Sequence, residues 1–167
     1  MAVCGISIPA QIIYPIPAKT PELLFYMQRS HNRNTIMYNV NWLSDGRIDA
    51  HEPVHVFWKR YEENSQNAEL SFIQRRAFGL SYTLMENSKD NYILHFNSFK
   101  KRAVYLFLLK EKVYKAYIRI NGELCELEKL YVKSQNNSLG MPITIGYVEI
   151  TGVSMKNGLR LTERITP

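Results

Sequence analysis

The stretch PVHVFWKRYEENSQNAELSFIQRRAFGLSYTLM, residues 53–85, reads as a strand, a polar connection, a short helix and a second strand. Val54, Val56 and Trp58 alternate with His55, Phe57 and Lys59. A period of two in β-branched and aromatic residues predicts a strand with its first set on a core. Phe57 falls on the other face, so that face is predicted to be covered too. Pro53 suits a strand start, where a missing N–H does little harm. Residues 62–67 are polar and break the pattern. The run AELSFIQRRAF, residues 68–78, predicts a helix. Asn67 stands where a side chain can accept from an early helical N–H, with Glu69 in the first turn. Leu70, Ile73 and Ala77 form an apolar stripe, and Gly79 is placed to end the helix in a left-handed conformation. Gln74 projects from the stripe, and Arg75 lies about 100° further round. Arg75 is expected to be partly buried and paired with a carboxylate such as Glu149 or Glu163, its loss costing about 1–3 kcal/mol. Arg76 is expected to be exposed.

Outward from this stretch the chain is mostly strand. Residues 1–21 hold Pro9, Pro15, Pro17 and Pro21, a density that favours extended chain. They are read as an N-terminal arm lying on the domain through Ile12, Ile13, Tyr14 and Ile16. Residues 22–167 are read as a single β-rich domain. Strands are predicted at 23–29 and 35–40 around a polar turn, and at 92–99. A basic turn, Lys100, Lys101 and Arg102, comes next. The apolar run 104–109 suits a strand buried on both faces. Asn121-Gly122, between the strand patterns 113–120 and 123–132, is the strongest hairpin signal, since both residues tolerate positive φ. A bulge or helical turn is expected near Glu126, where Leu124, Leu127 and Leu130 leave strict alternation. A polar loop at 134–140 precedes the strands 143–153 and 159–165. The fold class is mostly β, an antiparallel β-barrel or β-sandwich of roughly eight to ten strands with one short α-helix.

Composition agrees. A chain of 167 residues is long enough for a real core, and its 11 Tyr and 7 Phe lean toward strands. The net charge is +6, spread along the chain rather than held in a tail. Such basicity suits acidic ligands or a membrane surface, and is also common background. Two cysteines, Cys4 and Cys125, exclude a disulfide framework or a Cys-rich zinc site, and the sequence leaves their state open. No apolar run spans a bilayer, so no transmembrane segment is expected. The N-terminus lacks a secretory signature. That places the chain in the cytoplasm by default and leaves open a mature exported form whose signal was removed. Oligomeric state is not legible.

The series YMQRSHNRNTIMY, PVHVFWKRY, SFIQRRAFG and the terminal ERITP resembles an uncharacterised bacterial domain family, one of the domains of unknown function. The resemblance covers residues 23–167 and leaves the arm outside. It implies no activity. It places Gln28, Arg29, Asn34, Trp58, Arg60, Tyr61, Gln74 and Arg75 at motif positions.

The common catalytic motifs are absent: no Gly-rich phosphate loop, no GxSxG and no HExxH. His31, His51, His55 and His95 are scattered, so neither a metal nor a cofactor is implied. What remains is cationic and planar, Arg side chains interleaved with Tyr and Trp. Arg offers a rigid donor fork for carboxylate or phosphate, and aromatics offer stacking. The bland reading is a solvated basic surface with arginines on loop carbonyls. The functional reading is a non-catalytic module for a small anionic or amphipathic ligand. Arg29, Arg60 and Arg75 would contact the anion and Trp58 and Tyr61 the apolar part, with Asn34 and Gln74 completing the set. The alternative is an enzyme acting on a phosphorylated or glycosylated substrate, with Glu149 or His55 as general base. Glu149 and Glu163 would then be a candidate carboxylate pair. Nucleic-acid binding is the weakest reading, for want of a basic stripe.

Overall fold

The computed structural model describes residues 12–135 and 144–166. Cys4 and most of the expected loop at 134–140 lie outside them. Two runs of antiparallel hairpins make up one sheet. The first holds β1 (Leu23–Arg29), β2 (Asn32–Val40), β3 (Val54–Arg60) and β4 (Gln66–Glu69). The helix α1 (Phe72–Phe78) follows. The second run holds β5 (Leu80–Leu84), β6 (Tyr92–Phe96), β7 (Phe99–Lys110), β8 (Val113–Ile120), β9 (Glu123–Gln135), β10 (Thr144–Ser154) and β11 (Arg160–Ile165). The order across the sheet is β4-β3-β2-β1-β9-β8-β7-β6-β5, with β10 on β9 and β11 on β10. The fold is therefore mostly β, as the alternation predicts. It is a curled mixed sheet, half a barrel, with β1 and β9 parallel.

The curl follows from how β9 pairs. Its Glu123 to Glu126 bond β8, and its Lys129 to Val132 bond β1. Cys125, Glu126 and Lys129 to Val132 also bond β10. β10 thus holds one edge of β9, while β8 and β1 share the other and diverge from it. A register shift against β10 falls between Leu127 and Lys129, two residues beyond the bulge site expected near Glu126. Opposite it, a Cβ on Gly152 would stand 2.5 Å from the Glu126 carbonyl oxygen, so close backbone approach requires glycine there. At the other end of the sheet, α1 joins its two outermost strands, β4 and β5.

The concave side holds the core. Phe25 and Tyr38 stack at 4.4 Å between ring centroids, and Phe96 meets both edge-on at 6.1 and 5.8 Å. These rings come from both hairpin runs. Two phenols tie the runs together: Tyr38 donates to the Phe78 carbonyl at 2.9 Å, and Tyr82 to the Val54 carbonyl at 3.1 Å. Burial raises the pKa of both, so they remain donors. Ser30 and Ser134 share a hydroxyl hydrogen bond between the β1–β2 turn and β9.

Several sequence expectations are corrected. Residues 66–69 form an edge strand rather than a helix start, because they continue the β3 hairpin. The helix is capped by Ser71, whose hydroxyl accepts from the Gln74 N–H while the Gln74 side chain accepts from the Ser71 N–H. Gly79 is extended, with φ −69°. Its requirement is space, since a Cβ there would lie 2.4 Å from the Arg75 carbonyl oxygen. Ile73 is 77 % exposed, so the apolar stripe reduces to Leu70, Ala77 and Phe78. Lys100, Lys101 and Arg102 belong to β7, and the turn lies at Asn97 and Ser98. β7 is buried on one face through Val104 and Leu106, and Leu109 is exposed. In the arm, Ile13 and Ile16 point outward. Tyr14 packs edge-on against Tyr131, and the Pro15 carbonyl accepts from Gln28 Nε2 at 2.9 Å.

Candidate functional site

The curl leaves a cavity of about 210 Å³ between α1 and the sheet. Met27 and Phe78 form one end, and Leu130, Val132, Ile150 and Ile165 form its floor. The floor comes from alternation: Val148 pairs with Val132 and with Ile165, and Ile150 with Leu130, so one face of β9–β10–β11 is aliphatic. Arg102 and Ser98 supply the polar rim. Arg102 is already committed to a fork on Glu163 and to the Arg119 carbonyl. That guanidinium, with the Asn121 N–H, holds the Glu163 carboxyl below its usual range despite the opposing effect of burial.

Arg29 stands beside this cavity. It follows Met27 along β1 and pairs in register with Val132. Its guanidinium carbon lies 4.6 Å from the Trp58 ring centroid and 5.4 Å from that of Phe78, which also walls the cavity. Arg47, Arg60, Arg75, Arg102, Arg160 and Arg164 each pair with a carboxylate. Among the described residues Arg29 has no such partner, and its buried Nε has no hydrogen-bond partner either. Burial alone lowers its pKa. A desolvated cation with unused donors between two aromatic rings can stabilise an anion brought to it.

The other expected site residues divide. Trp58 and Gln74 are with Arg29: Trp58 Nε1 donates to Gln74 Oε1 at 3.1 Å, so the amide already serves a helix cap and an indole. Asn34 and Arg60 lie further along the same face and close the β2–β3 end. Asn34 Oδ1 accepts from the Glu62 N–H at 3.1 Å, and Arg60 pairs with Glu63 at 2.7 Å. Tyr61 is beside Tyr26 on the convex face. The Tyr26 phenol is raised first by burial and then by Glu128, with Arg160 opposing and Tyr61 adding a smaller push.

Arg75 is exposed rather than partly buried, and its partners are Glu52 and Glu69, not Glu149 or Glu163. Exposed pairs contribute little, so Arg75→Ala is expected to cost under about 1 kcal/mol, below the range expected from the sequence. Arg76→Ala is expected to cost under about 0.5 kcal/mol. Thermal melts of both variants check this, and a loss above about 2 kcal/mol for Arg75→Ala would refute it.

Glu149 and Glu163 do not form a carboxylate pair. Adjacent strands place them on opposite faces, Glu149 opposite Arg164 and Glu163 opposite Ile150. Glu149 pairs with Arg164 at 2.6 Å, and His55 with Glu69 at 2.8 Å. Among the described residues no cluster of three His, Cys, Asp or Glu side chains could hold a metal ion. The Cys125 thiol is buried, and burial, with Glu123 adding to it, pushes its pKa up. No helix among the described residues is long and apolar enough to cross a membrane. The sequence reading missed the aliphatic floor and Phe78 as cavity residues. The available signal was the paired alternation of Leu130 with Val132 and Val148 with Ile150.

No curated protein and no solved structure matches this chain. The family model described as Domain of unknown function (DUF4833) matches residues 25–164, from β1 through β11, and the chain belongs to that family.

Proposed function

We propose that the protein is a non-catalytic binding module for a small amphipathic anion. Its apolar part would enter the cavity under α1, and its charged group would meet Arg29. The observation that carries this reading is the unpaired, desolvated Arg29 guanidinium at the end of an aliphatic cavity. Evicting water from an apolar cavity favours a hydrocarbon chain. A buried cation without a counterion favours a carboxylate or phosphate over a neutral head group. The volume of about 210 Å³ is below the roughly 300–1,000 Å³ of pockets for drug-sized ligands, so a short chain is preferred.

Octanoate is the test probe, against octanol and acetate. Octanoate is expected to raise the melting temperature and to bind measurably by calorimetry, with octanol weaker and acetate without effect. A hundredfold excess over Kd stabilises the folded chain by about 2.7 kcal/mol. Equal binding of octanol and octanoate would remove the anion from the reading, and binding of neither would end it.

A further inference from the structure

The short helix carries a surface feature that the cavity does not use. Phe72 and Ile73 are consecutive, large and apolar, and they are 73 % and 77 % exposed. Arg76 lies over the Phe72 ring at 5.0 Å. Two hydrogen bonds fasten the helix to the β6–β7 turn: Asn97 Nδ2 donates to the Arg75 carbonyl and Ser98 Oγ to the Ala77 carbonyl. The exposed Lys100 and Lys101 follow that turn directly. The acidic groups nearby, Glu52 and Glu69, are held by Arg75. An apolar pair is therefore flanked by the cations Arg76, Lys100 and Lys101, on a chain of net charge +6. Other exposed apolar side chains, such as Leu159 and Met155, lie away from the cavity, whereas α1 also supplies Ala77 and Phe78 to its wall.

We infer that α1 is a docking element for an anionic lipid surface, with Phe72 and Ile73 entering the interface and the flanking cations meeting lipid phosphates. Apolar side chains gain by leaving water for the acyl boundary, and Lys and Arg near it gain from the negative surface. Docking in this way seats the cavity wall against the source of amphipathic anions. That purpose rests on the proposed function, while the docking itself does not.

The experiment is co-sedimentation of the full chain with vesicles of phosphatidylcholine alone or mixed with phosphatidylglycerol. The parent is expected to bind the mixed vesicles, weakly bind the neutral ones, and dissociate at high salt. The double variant Phe72→Ser/Ile73→Ser is expected to bind the mixed vesicles at least about tenfold less, with an unchanged melt, because both side chains are exposed. Leu159→Ser is expected to bind like the parent. The inference is overturned if the parent ignores anionic vesicles, if the double variant binds like the parent, or if Leu159→Ser is equally impaired. It is also overturned if the double variant only converts a dimer to a monomer without vesicle binding by either form. Octanoate binding in solution is measured alongside. Its retention without vesicle binding defeats docking alone, and its loss with vesicle binding intact defeats the cavity reading alone.

Discussion

Replacing Phe25 by alanine is expected to destabilise the protein by about 3–5 kcal/mol, the range for deleting a buried aromatic ring. Phe25 is 1 % exposed and touches both Tyr38 and Phe96, so its ring fills the space where the two hairpin runs meet. The surrounding strands are held by ladder hydrogen bonds and cannot collapse onto the void, which places the loss toward the upper end. Stacked and edge-on aromatic contacts add to the transfer loss. For a chain of this size that corresponds to a fall in Tm of about 6–20 °C. A thermal melt followed by circular dichroism reads it directly. A loss under about 1 kcal/mol would mean that the ring is not enclosed as described.

Arg29→Met is expected to separate stability from binding. Methionine has similar length, packs well against aromatic rings and carries no charge to desolvate. The substitution removes a stacked cation–ring interaction of about 0.5–2 kcal/mol and also removes the cost of an unpaired buried charge. The two nearly cancel, so stability is expected to stay within about 1 kcal/mol of the parent. Octanoate affinity is expected to fall by about tenfold or more, since a hydrogen bond to a charged group is worth about 1.5–3 kcal/mol. Arg29→Lys keeps the charge but loses the planar fork, and intermediate binding is expected. Calorimetry and paired melts check both. Undiminished octanoate affinity in Arg29→Met would take Arg29 out of the site, and a stability loss above about 3 kcal/mol would assign it a structural anchor instead.

The parts of the fold that could be read in the sequence are those written into neighbouring residues. The alternation of Val54, Val56 and Trp58 yields β3, and Asn121-Gly122 yields a hairpin with φ values of 50° and 83°. β4 was not legible because its QNAE is an exposed edge strand, with no apolar face to reveal the period. Lys100 to Arg102 looked like a turn because exposed strand ends carry turn-like polarity. The parallel β1–β9 pairing has no local signature at all. In the site, the Arg–Trp chemistry of Arg29 and Trp58 was visible as residue types. Their separation from Tyr61 and Arg75 was not, since which face a residue occupies near a strand end depends on bulges and turns. The cavity was hidden for a similar reason. Its walls are ordinary core residues, and only the divergence of strands at β9 opens space between them.

The divergence at β9 also governs how the chain must assemble. Each hairpin run closes through contacts between near neighbours, which gives low local contact order and rapid closure. Joining the runs is different, because Ser30 meets Ser134 across 104 residues of chain. The entropy of closing so long a loop must be offset before β1 gains its second partner. During synthesis the first run emerges early, yet the free edge of β1 waits for residues 129–132. A nascent chain halted before that point presents an unpaired strand edge flanked by apolar side chains, the form most open to pairing with another chain.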